Sequence, residues 1–191
     1  SRQLQPADPV LMAWRPPAWL LVPPLLAVLA GCVAAGPTQS SLAILESLAP
    51  ADRLVADDGA VLPLRHWSPE GPPRAVILAL HGFNDYSNFI APAAAYFAGQ
   101  GLATYAYDQR GFGLAPGRGR WAGEDALITD VRTAVAALRA RHPGAPIYLL
   151  GESMGAAVIL AALASDPPPA VAGAILSAPA VWGRATMPWY Q

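Results

Sequence analysis

The pentapeptide Gly151-Glu152-Ser153-Met154-Gly155 sets one serine between two glycines, where the apolar run Pro146-Ile147-Tyr148-Leu149-Leu150 gives way to an alanine-rich stretch of helical character. A serine hydroxyl attacks a carbonyl only when a base takes its proton and hydrogen-bond donors receive the charge that forms on the carbonyl oxygen. A sharp strand-to-helix turn serves both needs. It lifts the hydroxyl clear of the backbone, and the helix behind it turns free N–H groups and the positive end of its dipole toward the developing oxyanion. Glycines at 151 and 155 let the chain make that turn without a Cβ clash. The other reading of so short a pattern makes Ser153 an ordinary helix N-cap. Acyl transfer through Ser153 is the chemistry of the first reading, and it calls for no cofactor and no metal.

The elements needed to hold such a turn can be traced along the chain. Arg53 to Ala56 and Ala60 to Trp67 flank Asp57-Asp58-Gly59, a turn signal between two extended runs, so a β-hairpin is expected to open the fold. The run Ala75-Val76-Ile77-Leu78-Ala79-Leu80 is apolar at every position, as a strand buried on both faces of a parallel sheet must be. Regular alternation follows: a helix over Phe89–Gln100, a strand over Leu102–Tyr107, a helix over Glu124–Arg141, a strand over Ile147–Leu150, a helix over Met154–Ser165 and a strand over Val171–Ser177. Leu127, Val131, Val135 and Leu138 are spaced for one face of the Glu124–Arg141 helix. Strand and helix repeated at this spacing predict an α/β fold with a mostly parallel sheet, right-handed crossovers and a leading antiparallel hairpin.

A formal charge of −1 over 191 residues gives no electrostatic case for nucleic acid. Arg118 and Arg120, and again Arg132, Arg139 and Arg141, read as a solvated loop and a helix face. The one cysteine, Cys32, excludes a disulfide within the chain. Ahead of it, Arg15 precedes an apolar segment from Ala18 to Ala30, which at 13 residues falls short of the ~20 that cross a bilayer and is broken by Pro23 and Pro24. It reads as a secretory signal over residues 1–31. Met12 offers an alternative start, which would make residues 1–11 an upstream extension or a misassigned start. Leu29-Ala30-Gly31-Cys32 resembles the lipobox of bacterial lipoprotein signal peptides. That resemblance implies cleavage before Cys32, diacylation of its thiol, and an exported protein held on a membrane of the cell envelope through lipidated Cys32, because two or three acyl chains hold where one binds marginally. The alternatives are a plain signal peptide cut nearby and an uncleaved hydrophobic anchor. Residues 32–51, with Gly36-Pro37-Thr38-Gln39-Ser40-Ser41, suit a flexible tether.

Four motifs in order bring a family into view: His81-Gly82-Phe83, Tyr107-Asp108-Gln109-Arg110-Gly111-Phe112-Gly113, Gly151 to Gly155, and Leu176-Ser177-Ala178-Pro179. Over roughly residues 53–182 the chain resembles the α/β-hydrolase superfamily, and within it the bacterial lysophospholipase and monoacylglycerol lipase group classed with the S33 serine aminopeptidases. The resemblance implies an α/β-hydrolase fold and an oxyanion hole built from the backbone N–H groups of Phe83 and Met154. It places Gly82 where close approach is needed and makes His81 a structural residue, since in this fold the base follows the nucleophile. Asp108 and Arg110 are read as fixing a turn.

The same order, nucleophile then acid then histidine, is incomplete here. No histidine follows Ser153, and Asp166, at the end of the helix that starts at the turn, comes too early for the acid. His66 and His142 precede the nucleophile and are read as surface or core. Residues 52–191 are therefore expected to be the N-terminal part of a hydrolase domain, ending where a lid begins. The triad acid and histidine would lie outside this chain, and the piece alone would turn over little. The implied activity is hydrolysis of carboxylic esters of monoacyl lipids, lysophospholipids or monoacylglycerols, through an acyl-enzyme on Ser153. The alternatives are a serine aminopeptidase and a non-catalytic, membrane-anchored binding protein on the same scaffold.

Overall fold

The computed structural model describes residues 52–181. The signal reading over residues 1–31, the Met12 start, Cys32 with its tether to residue 51 and the start of a lid past residue 181 lie outside the described residues.

The chain opens with strands β1 (Asp52–Val55) and β2 (Val61–Trp67), paired antiparallel around a turn in which Gly59 takes a φ of 82°. Strand β3 (Ala75–Leu80) is buried along its whole length, as its unbroken apolar run requires. Helix α1 (Ala91–Gly99) is reached through a single 3-10 turn over Ser87–Ile90. The expected helix over Phe89–Gln100 is thus shorter, because Pro92 has no N–H to give and occupies the first turn of the α-helix rather than its interior. Strand β4 (Leu102–Tyr107), helix α2 (Glu124–Arg141), strand β5 (Ile147–Glu152), helix α3 (Met154–Ala164) and strand β6 (Gly173–Ser177) complete the order.

The six strands lie in the order β1-β2-β4-β3-β5-β6, with β3, β4, β5 and β6 parallel and β2 antiparallel to β4. Strand β5 runs two residues past its apolar stretch because Gly151 and Glu152 pair with Leu176 and Ser177 of β6. Helices α2 and α3 pack with Leu78, Leu80, Ile147 and Leu149 in the larger core, while Ile90 and Ala94 pack with Ala79 and Ala106 on the other face. Leu127, Val131, Val135 and Leu138 of α2 all point into that larger core, and Glu124 with Asp125 at its start and Arg139 with Arg141 at its end complement the helix dipole.

This order creates a switch point. The chain leaves β3 toward α1 on one face and leaves β5 toward α3 on the other, so the loops at the carboxyl ends of these two neighbours diverge and leave a crevice between them. His81 to Phe83 follow one strand and Ser153 follows the other.

Candidate active site

Ser153 occupies the bend between β5 and α3 with φ 50° and ψ −110°. That conformation is near the first central position of a type II′ turn, which glycine dominates. Although Ser153 stands at the N-cap position of α3, its side chain makes no capping hydrogen bond. The ordinary capping reading therefore does not hold, since a cap residue has extended dihedrals and bonds the N–H groups of the first turn. The strained backbone is clamped from one side. Ser153 N–H donates to the Ser177 carbonyl at 2.9 Å, and Ala180 N–H donates to the Ser153 carbonyl at 3.0 Å. Ser177 and Ala178, quoted above only as part of a motif, thus belong to the loop that holds the bend, with Ala178 itself at φ 43°.

The flanking glycines answer to packing rather than to dihedral freedom. A Cβ on Gly155 would come within 2.2 Å of the Leu80 carbonyl oxygen, and one on Gly151 within 2.6 Å of the Ala156 backbone. They let α3 start directly against the end of β3. Across the crevice, a Cβ on Gly82 would sit 3.5 Å from the Ser153 Cβ, so the loop after β3 lies in van der Waals reach of the serine. Met154 is the first residue of α3, which leaves its N–H without an intrahelical acceptor. Among the described residues no hydrogen bond takes up the N–H of Phe83. The two amides expected of an oxyanion hole are thus on the loops that border Ser153.

His81 is fully buried with both ring nitrogens engaged. Its Nδ1 lies 2.7 Å from the Gly82 carbonyl, which can only accept, and its Nε2 lies 3.0 Å from the Gln109 N–H, which can only donate. The ring is therefore the neutral Nδ1–H tautomer. Burial holds its pKa below the usual 6.5, against the upward pull of the Gly82 carbonyl and of the Asp108 and Asp85 carboxylates. Phe89 and Phe112 pack edge-on against it at 6.4 and 5.7 Å between ring centroids. Gln109, which carried no role of its own within the Tyr107–Gly113 motif, donates its side-chain N–H to the His81 carbonyl at 2.8 Å. Asp108 accepts the N–H groups of Ser87 and Leu114, both at 2.8 Å, and so joins the loops after β3 and β4. Arg110 points away, held by Asp58 in the β1–β2 turn and by the buried Asp130 of α2. Among the described residues no histidine nitrogen is bonded to Ser153. His142 pairs with the Tyr105 hydroxyl at 2.8 Å and His66 stacks on the same ring.

Two clefts open beside the residues expected to supply the oxyanion-hole amides. One, of about 330 Å3, is lined by Met154, Ala157, Val158, Ala161 and Leu127. The other, of about 410 Å3, starts at Phe83 and includes Arg118 and Arg120. Those two arginines are exposed on a loop, as the sequence suggested, and they also line this cleft. The signal for the cleft was absent because the contact joins segments far apart in the chain.

The sheet order, the crossovers and the serine bend define an α/β-hydrolase fold. The family described as serine aminopeptidase, S33, matches residues 71–191, and the chain belongs to it. Human monoglyceride lipase is 35% identical over 130 residues, which are 67% of this chain and 42% of that protein. A monoacylglycerol lipase of Mycolicibacterium smegmatis is 33% identical, over 60% of this chain and 41% of its own. The chain thus spans about two fifths of the length of these curated relatives. Among solved structures, a Bacillus coagulans carboxyl esterase superposes with a TM-score of 0.57 at 22% identity, covering 65% of this chain and 42% of that one. The monoacylglycerol lipase of Paleococcus ferrophilus superposes with a TM-score of 0.55 at 22% identity, covering 68% and 47%. These superpositions speak for the fold.

Proposed function

We propose that the full-length protein is a serine ester hydrolase that cleaves monoacyl lipids, monoacylglycerols or lysophospholipids, through an acyl-enzyme on Ser153. Ser153 Oγ attacks the ester carbonyl as a base takes its proton, and the N–H groups of Phe83 and Met154 receive the oxyanion. Collapse expels the alcohol with that proton, and water then releases the fatty acid by the same steps. The observation that carries the reading is the strained, uncapped Ser153 set against the Gly82 loop. A bend that stores about 1–3 kcal/mol persists where the strain serves a task, which argues against a binding protein that has retired its serine. The monoglyceride lipase relatives support the substrate class.

With His81 saturated by Gly82 and Gln109, the base and its acid are assigned to sequence outside these 191 residues, and the piece alone should turn over little. Labelling of the full-length protein by a fluorophosphonate probe, lost in Ser153→Ala, tests the nucleophile. Absence of labelling in the wild type would end the proposal. The family description also favours a second reading, an aminopeptidase. Comparing p-nitrophenyl esters with amino-acid anilides decides between the two. The membrane side of the proposal is an exported lipoprotein anchored by acylated Cys32. Incorporation of labelled palmitate that Cys32→Ser abolishes is the expected result, and an unlabelled, freely released wild type would refute it.

A further inference from the structure

The two clefts, one beginning at Met154 next to Ser153 and the other at Phe83, differ in chemistry. Beside Met154, the walls are mainly apolar, Leu127, Ala157, Val158 and Ala161 with Trp121, and the one charged group is the Glu124 carboxylate, so this side suits an alkyl chain and repels an anion. Beside Phe83, the cleft carries two guanidinium groups, Arg118 and Arg120, against one carboxylate, Asp85. Each cleft includes one of the two residues whose amides are proposed to hold the oxyanion. An ester carbonyl seated between those amides would therefore send its acyl chain one way and its alcohol portion the other.

The state of the arginines sharpens the contrast. Arg110, close by in sequence, is saturated by Asp58 and Asp130. Among the described residues neither Arg118 nor Arg120 forms an ion pair, and Asp85 already accepts the Tyr86 N–H. The turn that carries them is held in place. Gly119 N–H donates to the Gly111 carbonyl at 2.9 Å, Gly111 N–H to the Pro116 carbonyl at 3.0 Å and Arg120 N–H to the Gly117 carbonyl at 2.9 Å. Gly111, at φ 87°, could not carry a side chain there, since its Cβ would meet the Arg120 carbonyl oxygen at 2.3 Å. The turn that carries Arg118 and Arg120 thus has its backbone tied to Gly111, and it brings two guanidiniums with no ion-pair partner among the described residues to the cleft wall. Guanidinium forks match phosphate oxygens in geometry as well as charge.

We propose that the cleft between Phe83 and the Arg118–Arg120 turn is a phosphate subsite, which selects lysophospholipids, whose leaving group carries a phosphate, over monoacylglycerols. The assignment rests on Ser153 as nucleophile only for the direction of the leaving group, so binding and turnover test the two separately. In the full-length Ser153→Ala protein, an ether-linked lysophosphatidylglycerol and the monoalkylglycerol of the same chain are titrated by calorimetry. The phosphate-bearing ligand is expected to bind roughly tenfold to a hundredfold more tightly. Replacing Arg118→Gln and Arg120→Gln together should abolish that difference, with the unfolding temperature reporting that the fold is kept. Equal affinities, a difference that survives the double substitution, or inorganic phosphate binding as tightly as the lysolipid would each overturn the subsite. In the wild type, hydrolysis of the two ester substrates with equal kcat/KM would overturn it as well. Selective binding without any hydrolysis or fluorophosphonate labelling would instead refute the nucleophile and uphold the subsite.

Discussion

Replacing Ser153 by glycine should make the protein inert and more stable at once. At φ 50° and ψ −110°, a residue with a Cβ carries a strain of about 1–3 kcal/mol, and glycine carries none. Glycine loses about 0.4–1 kcal/mol more backbone entropy on folding, which leaves a net gain of roughly 0.5–2 kcal/mol. The hydrogen bonds that clamp the bend, to Ser177 and from Ala180, use only backbone atoms and survive the change. Alanine is the decisive comparison. It keeps the Cβ and therefore the strain, and it deletes an Oγ that makes no capping bond, so Ser153→Ala should unfold within about 0.5 kcal/mol of the wild type. Both variants lose the proposed nucleophile. Urea unfolding of the full-length protein should place Ser153→Gly above Ser153→Ala by that roughly 0.5–2 kcal/mol. The same gain would raise the melting temperature by about 1–8 °C in a domain of some 150–250 residues. If glycine is equal to alanine or less stable, the bend is not strained and the argument for a retained catalytic turn fails with it.

Two further outcomes follow from the polar groups behind the site. Arg110→Ala leaves Asp130 fully buried without its partner and should cost about 3–5 kcal/mol in unfolding experiments, whereas Asp58→Asn, at the solvent-exposed end of the same network, should cost far less. His81 has a folded-state pKa held below its unfolded value, so the stability it contributes is fully present above about pH 6.5 and is lost as the pH falls toward the folded value. His81→Gln should flatten that acid limb in melting temperatures recorded against pH. The part that remains belongs to His142, whose pKa is lowered by burial and by Arg141, and at lower pH to the Asp58 and Asp52 carboxylates, held below the usual range by hydrogen bonds from Arg110 and from the Arg53 amide.

What could be read in the sequence was whatever is encoded locally. The unbroken apolar run of β3, the helical spacing of Leu127, Val131, Val135 and Leu138, and the Asp57-Asp58-Gly59 turn each name their own element. The bend at Ser153 was legible because its demands fall on neighbours: small residues at 151 and 155 where α3 meets β3, and a strand-to-helix change between them. What escaped was pairing over distance. Asp130 is an acid on the buried face of α2, a violation of helix patterning that only Arg110, twenty positions earlier, resolves. Gln109 bonds His81 across 28 positions of sequence, and nothing at either residue announces the other. The role of Arg118 and Arg120 depends on how the loop after β4 folds back over Gly111.

Those distant pairings explain how a site made of loops can be rigid. Three strands end side by side, and hydrogen bonds tie the loops that leave them: the His81 carbonyl to the Gln109 side chain, Ser153 to Ser177 and Ala180, and the Ser87 and Leu114 amides to the Asp108 carboxylate, while the Gly82 carbonyl is held by the His81 ring. After these bonds are made, the amides of Phe83 and Met154 remain on either side of the serine. An unpaired N–H is costly wherever water cannot reach it, so donors left open at such a crest face either solvent or a ligand. Fixed in place before substrate arrives, they need no reorganisation when charge develops, and that is the condition under which two hydrogen bonds stabilise a transition state more than water would. Loosening Gln109 should then affect kcat before it affects substrate binding, because it releases the His81–Gly82 backbone on which the Phe83 amide is carried. In the full-length protein, Gln109→Ala is expected to lower kcat with KM nearly unchanged, and a pure KM effect would show that the loop is held by the substrate rather than by the fold.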